Sequence, residues 1–133
     1  MVFTMLIACV QTDVAFADIP ANLNRVMGTI EEAGGKGADL VVMPECMLSG
    51  YAFDSREAGL EQAISIDDGL FAKIASAASK YNLHVTLGFL ESCEDKLFNA
   101  SALVGPCGVV GHYRKIHLPQ MANPILDPSA SSG

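Results

Sequence analysis

The sequence predicts an α/β domain whose sheet is parallel over at least part of its width. Three observations carry this. Strand-length apolar runs alternate with apolar stripes at helical spacing, the order of a chain that crosses from strand to parallel strand through helices. One run, Leu40-Val41-Val42-Met43, is apolar without alternation, as expected of a strand buried on both faces. The last two strand-length runs flank Gly105-Pro106-Cys107-Gly108, a hairpin turn signal.

The elements follow in order. Residues 3–10 form a short apolar run, read as a buried first strand. A signal peptide is the competing reading, since Ala15-Phe16-Ala17 resembles a cleavage site. No Lys or Arg precedes the apolar run, so the charged n-region is lacking. Asp18 is placed to cap a helix, with Pro20 in its first turn. Leu23, Val26, Met27 and Ile30 give that helix one apolar face, and Gly34-Gly35-Lys36-Gly37 ends it. A strand over 39–43 stops at Pro44. A short helix is expected over 55–62. A longer one starts at Asp67 or Asp68, with Leu70, Ile74, Ala77, Ala78 and Tyr81 as its stripe and Asn82 as its stop. Strands over 84–90, 97–104 and 109–114 complete the pattern, which dissolves from Gln120 onward.

Composition excludes some classes of function. The length of 133 residues fits one domain. Fifteen acidic residues against eight basic ones give a net charge of −7, which argues against nucleic acid or an anionic membrane as partner. No stretch reaches the length of a membrane-spanning helix. Half the residues are apolar, enough to build a sizeable core and to leave apolar surface over. Cys9, Cys46, Cys93 and Cys107 form no C-x-x-C pair and no metal-like cluster with His84, His112 or His117. They read as free thiols of a cytoplasmic protein, although four cysteines also allow three disulfide connectivities.

Two polar positions stand out. Glu45 follows a buried strand and is held by Pro44; ligand sites in open α/β sheets collect beyond the carboxyl ends of strands. A carboxylate partly withdrawn from water there is expected to have a raised pKa and to serve as a general base. Lys115 ends the hairpin, where a fixed ammonium can stabilise an oxyanion. Taken singly, Glu45 reads as a solvent-facing loop acid and Lys115 as a solvated edge lysine.

The flanks change that weighing. Glu45 with Leu48-Ser49-Gly50-Tyr51 resembles the glutamate segment of the nitrilase superfamily, the carbon–nitrogen hydrolases. Phe98-Asn99-Ala100-Ser101-Ala102-Leu103-Val104-Gly105-Pro106, then Gly108, Gly111 and Tyr113-Arg114-Lys115-Ile116-His117-Leu118, resembles the lysine segment. The first strand ending in Val10-Gln11 fits as well. The resemblance covers residues 1–119 as the N-terminal part of such a domain, with 120–133 a divergent loop or tail.

The resemblance implies an αββα sandwich of two sheets, of which this chain holds one part: a mixed sheet with helices on its outer face. It implies hydrolysis of amides, nitriles or carbamoyl groups through a cysteine thioester. Glutamate is then the base, lysine the oxyanion stabiliser, and neither metal nor organic cofactor takes part. By position, the base is Glu45, the stabiliser is Lys115, and Tyr51 either lines the substrate pocket or simply packs. Asn99 is read as fixing a turn or backbone contact, and His117 as structural. Homo-oligomers are common in the family.

One departure matters. The family's nucleophile lies on a later strand, yet no cysteine follows Cys107 and no glutamate follows Glu94. Cys46 adjoins Glu45, but neighbouring extended side chains point to opposite faces. Cys9 falls on the first strand, Cys93 in a loop and Cys107 in the hairpin turn. The chain is therefore expected to lack turnover by itself. The alternatives are a truncated gene product, or a non-catalytic module that associates through an exposed apolar sheet face.

Overall fold

The computed structural model describes residues 2–118 and 125–127. Its elements run β1 (Ile7–Cys9), α1 (Ile19–Gly35), β2 (Leu40–Val42), α2 (Arg56–Glu61), α3 (Gly69–Ser79), β3 (His84–Cys93), β4 (Lys96–Gly105) and β5 (Gly108–Arg114). They build one five-stranded sheet in the order β1-β2-β3-β4-β5. β1, β2 and β3 are parallel, and β3, β4 and β5 are antiparallel. This is the predicted α/β fold with a mixed sheet; α1 and α3 cover one face, while α2 packs on the small core at one end of the other.

The helices begin where the capping residues stand. Asp18 Oδ1 accepts from Ala21 N at 3.0 Å, and Asp68 Oδ1 from Leu70 N at 2.8 Å, each satisfying an amide that no helical carbonyl reaches. Ser55 does the same for α2. Asn82 takes a φ of 52°, the left-handed turn that follows α3. As parallel crossovers, α1 and α3 lie on the same face of the sheet. There Val26, Ile30, Ile74 and Ala78 pack on Val41, Val85, Leu87, Phe89, Ala102 and Val104, all essentially sealed from solvent. Each large aliphatic or aromatic side chain buried this way contributes about 1.5–3 kcal/mol.

Alternate residues of the same strands form the other face, which no helix among the described residues covers along most of its width. Leu40, Val42, His84, Thr86, Ser101 and Leu103 are only half-buried. At one end this face carries a second small core of Cys46, Phe53, Leu90, Leu97, Ile125 and Leu126. Asp127 fastens that end by accepting from Leu97 N and from Arg56, 2.8 and 2.7 Å away. The rest of the 120–133 stretch, with Pro119, lies outside the described residues.

Three expectations need correction. The first strand is not the buried run 3–10. Only Ile7–Cys9 pair, and Val2, Phe3 and Met5 stand in solvent. β1 is an edge strand with a neighbour on one side, and its Ile7 and Cys9 share register with Leu40 and Val42 on the uncovered face. For the same reason β2 is sealed only at Val41. Cys93, expected in a loop, ends β3, because that strand runs on to a two-residue turn at Glu94-Asp95.

The β4–β5 hairpin has one irregularity. Val104 pairs with Val109, yet Leu103 pairs with Gly111, so Val110 is an extra residue on β5. This β-bulge changes the side to which everything after it points.

Candidate active site

Glu45 sits on a turn laid directly over β3. Met43 N bonds Thr86 O at 2.9 Å, continuing the ladder past β2, and Gly88 N donates to Pro44 O at 3.2 Å. A Cβ on Gly88 would lie 2.4 Å from Cys46 N and 2.8 Å from Glu45 Cα. Only glycine lets the turn come so close, which is a recognised use of glycine inside a strand. The turn is also tied from the helix side. Buried Asn22 on α1 donates to Leu48 O at 2.9 Å and exchanges hydrogen bonds with the backbone of Ala15.

Lys115 follows β5 and continues its pairing, with Lys115 N donating to Asn99 O at 2.8 Å. Asn99 and Lys115 are thus cross-strand neighbours on the uncovered face. Both reach the same carboxylate oxygen: Lys115 Nζ lies 2.8 Å and Asn99 Nδ2 2.6 Å from Glu45 Oε1. Among the described residues no donor reaches Oε2. The predicted pair is therefore brought together across 70 residues of sequence.

The pair borders a cavity of about 310 Å³ on the uncovered face, lined also by Val42, Thr86, Gly88, Ser101 and Tyr113. Its lining is mostly apolar with a few polar groups, the make-up of small-molecule pockets.

The electrostatics differ from the expectation of a raised glutamate pKa. The hydrogen bond from Lys115 holds the Glu45 carboxyl below its usual range. Partial burial opposes this, and the Asn99 amide and the lysine charge reinforce it. Glu45 belongs to a half-exposed ion pair with its counter-ion in contact, so desolvation does not win. Lys115 moves up, chiefly through its bond to Glu45. Both groups are charged at neutral pH.

Cys46 is buried, and its Sγ is directed to Asn99 Oδ1 at 3.9 Å. Burial, and then the charge of Glu45, push its thiol up to about 12. It is a protonated core residue, not an activated nucleophile. Cys9 and Cys107 are exposed, and Cys93 is half-buried. Tyr51 packs on the small second core with its hydroxyl towards the Asn99 amide, and it is not among the cavity-lining residues. His117 is exposed beyond the end of β5.

Sequence reasoning missed Gly88, Asn22 and the bond from Asn99 to Glu45. Only Gly88 left a local signal, as a glycine in the middle of a strand pattern. It also missed a second carboxylate site on the helix-covered face. There Glu91, 1% exposed, takes a bidentate pair of 2.7 Å bonds from Arg114, while His112 Nε2 lies 2.8 Å from Oε2. The guanidinium stacks over Phe98, 4.1 Å from the ring centre.

Comparison with known proteins accounts for this architecture. The sequence pattern of the carbon-nitrogen hydrolase family matches residues 6–130. A nitrilase of Pyrococcus abyssi is 35% identical over 113 residues, covering 84% of this chain and 43% of that protein. A cyanide hydratase of Alternaria brassicicola is 31% identical over 121 residues, covering 82% and 33%. Among solved structures, a CN-hydrolase superfamily protein of Xanthomonas campestris, with an arsenic adduct in its active site, superposes with a TM-score of 0.72 at 28% identity, covering 84% and 40%. An N-terminal amidase bound to a Gln-Gly peptide shares the fold at a TM-score of 0.73 and 24% identity, covering 86% and 28%. This chain spans less than half the length of these relatives. With the family pattern running through the Glu45 turn, β4 and β5, the chain belongs to the carbon-nitrogen hydrolase family.

Proposed function

We propose that this chain carries the base and the oxyanion-stabilising lysine of a thiol amidohydrolase acting on non-peptide C–N bonds, in an amide, nitrile or carbamoyl substrate. The observation that supports it most is the contact between Glu45 Oε1 and Lys115 Nζ at the rim of the cavity.

In this reading a thiol adds to the substrate carbon and its proton passes to Glu45. Negative charge grows on the substrate oxygen or nitrogen, and Lys115 turns from Glu45 to meet it. As the ammonium leaves, the carboxylate loses its strongest partner and becomes more basic when it must take a proton. For an amide or carbamoyl group, Glu45 then gives that proton to the departing nitrogen, leaving a thioester. Water adds next, its proton going to Glu45, and the thiolate departs and is reprotonated. A nitrile takes up water by the same two groups. No metal or organic cofactor enters these steps, and Tyr51, which packs on the second small core, is given no part in them.

None of the four cysteines is suited to be that thiol: Cys46 is buried and held protonated, and the others are not among the cavity-lining residues. The chain alone is accordingly assigned no turnover, within a cytoplasmic homo-oligomeric setting. Ammonia released from amides or nitriles by purified chain of confirmed mass, and lost on a Cys→Ala change, would overturn this. The roles of Glu45 and Lys115 are tested in a chimera carrying residues 6–118 in place of the matching part of the Pyrococcus nitrilase. Turnover is expected there, with loss of at least about 100-fold in Glu45→Gln and Lys115→Met. A chimera that keeps its rate without Glu45 sinks the assignment.

A second reading rests on the uncovered face and the exposed Ile7 on it. It makes the chain a module that associates through that face. A compact monomer in sedimentation at micromolar concentration would exclude it.

A further inference from the structure

We propose that Asn99 is a positioning residue for the base, gripping Glu45 by Oε1 throughout so that Oε2 is the oxygen that takes and returns the proton. This rests on the reading of Glu45 as the base. Asn99 is 4% exposed and stands on β4, between β3 and β5, opposite Lys115 in the pairing. Its amide and the lysine both bond Oε1, whereas no described residue bonds Oε2. Two donors on one oxygen fix the rotation of the carboxylate, and the lone pairs left over belong to the other oxygen.

The two donors are not equivalent. Lys115 ends a strand and carries a flexible side chain that must leave for the oxyanion. Asn99 cannot leave, because it is buried and held at its far end. A carboxylate only accepts, so the Asn99 group facing Glu45 must be its NH₂. Its Oδ1 is then turned to Cys46 Sγ, 3.9 Å away, where a protonated thiol is a weak donor. Cys46 thereby faces the amide oxygen and disfavours the flipped amide. The charged or titratable groups around Glu45 are thus Lys115, Cys46 and Tyr51, whose hydroxyl also faces the Asn99 amide.

The test is a carboxyl ¹³C NMR titration of Glu45 in the purified chain, which needs no turnover. Asn99→Leu removes the donor at little change in volume. It is expected to weaken the ionised form, moving the Glu45 midpoint upward by several-fold in proton affinity while far-UV dichroism is kept. Asn99→Asp adds a like charge and is expected to move it further. A folded Asn99→Leu protein whose Glu45 titrates as in the wild type overturns the proposal. Should Asn99→Leu fail to fold, Asn99→Ser, too short to reach Oε1, makes the same comparison. In the chimera, Asn99→Leu is expected to lower kcat more than it raises KM and to shift the acid limb of the rate profile upward. A parallel loss in both, with that limb unmoved, marks a merely structural residue. Failure of the Glu45→Gln arm alone would sink the base assignment and leave the titration result standing.

Discussion

Two carboxylates hang on opposite faces of one sheet, and neighbouring residues of one strand end hold them. Arg114 takes Glu91 on the helix-covered face, and Lys115 takes Glu45 on the uncovered one. Both carboxyls are held below their ordinary range. For Glu91, burial pushes upward most, and the bonds from Arg114 and His112 together outweigh it. Glu45 has less burial to overcome, and its largest single influence is the lysine bond. The difference is in what remains unused. Glu91 commits both oxygens to a fork and an imidazole, with its side chain sealed from solvent. Glu45 commits one oxygen and leaves the other without a donor among the described residues. A rigid fork suits a permanent join, whereas a single flexible ammonium can be withdrawn. A depressed pKa therefore does not by itself separate a structural carboxylate from a reactive one; the free oxygen does.

The sharpest way to break this comparison is to remove each carboxylate in turn. Glu91→Ala is expected to destabilise the fold by about 3 kcal/mol, since the sealed carboxylate that both Arg114 and His112 bond is removed from beside the core. Glu45→Ala should cost less than about 1 kcal/mol, as exposed pairs do. Urea unfolding measures both, and equal costs would erase the distinction.

A smaller effect is expected in acid. A carboxyl depressed in the fold contributes stability that is present above its unfolded value of about 4.3 and lost as pH falls through the folded value. Stability should thus decline below about pH 4, and the decline should be shallower in Glu91→Gln and in Glu45→Gln than in the wild type. Urea midpoints between about pH 7 and 3 give the answer; a variant with the wild-type slope would contradict it.

Smallest in stability, and most specific, is Lys115→Met. Unfolding should change by no more than about 0.5 kcal/mol, while the Glu45 carboxyl titrates higher because its largest lowering influence is gone. A Glu45 midpoint that stays in place would mean that the lysine does not set its basicity.

The sequence is legible where structure is local. Asp18, Ser55 and Asp68 cap helices near the expected starts, Asn82 ends one, and the Pro106-Cys107 turn joins the expected strands. Side-chain periodicity over a few residues specifies such elements. It does not reveal how many sides of a strand are covered, so residues 3–10 read as buried although β1 is an open edge. Nor does it give the distance between groups 54 or 70 residues apart, so the lowering of Glu45 by Asn99 and Lys115 leaves no trace in it. That Glu45 and Lys115 belong together is readable only from their flanks. Glu91 has no readable partner, because its fork with Arg114 exists only in one register of β4 against β5.

That register hangs on Val110. Were Val110 paired with Leu103 in place of Gly111, the hairpin count would bring Arg114 opposite Asn99 and Lys115 opposite Phe98. The two cations would exchange faces, the stiff fork meeting Glu45 and the ammonium sent into the helix-packed core beside Glu91. A solvent-exposed valine thus acts as a parity bit for the strand, deciding which cation meets the sealed carboxylate and which the open one.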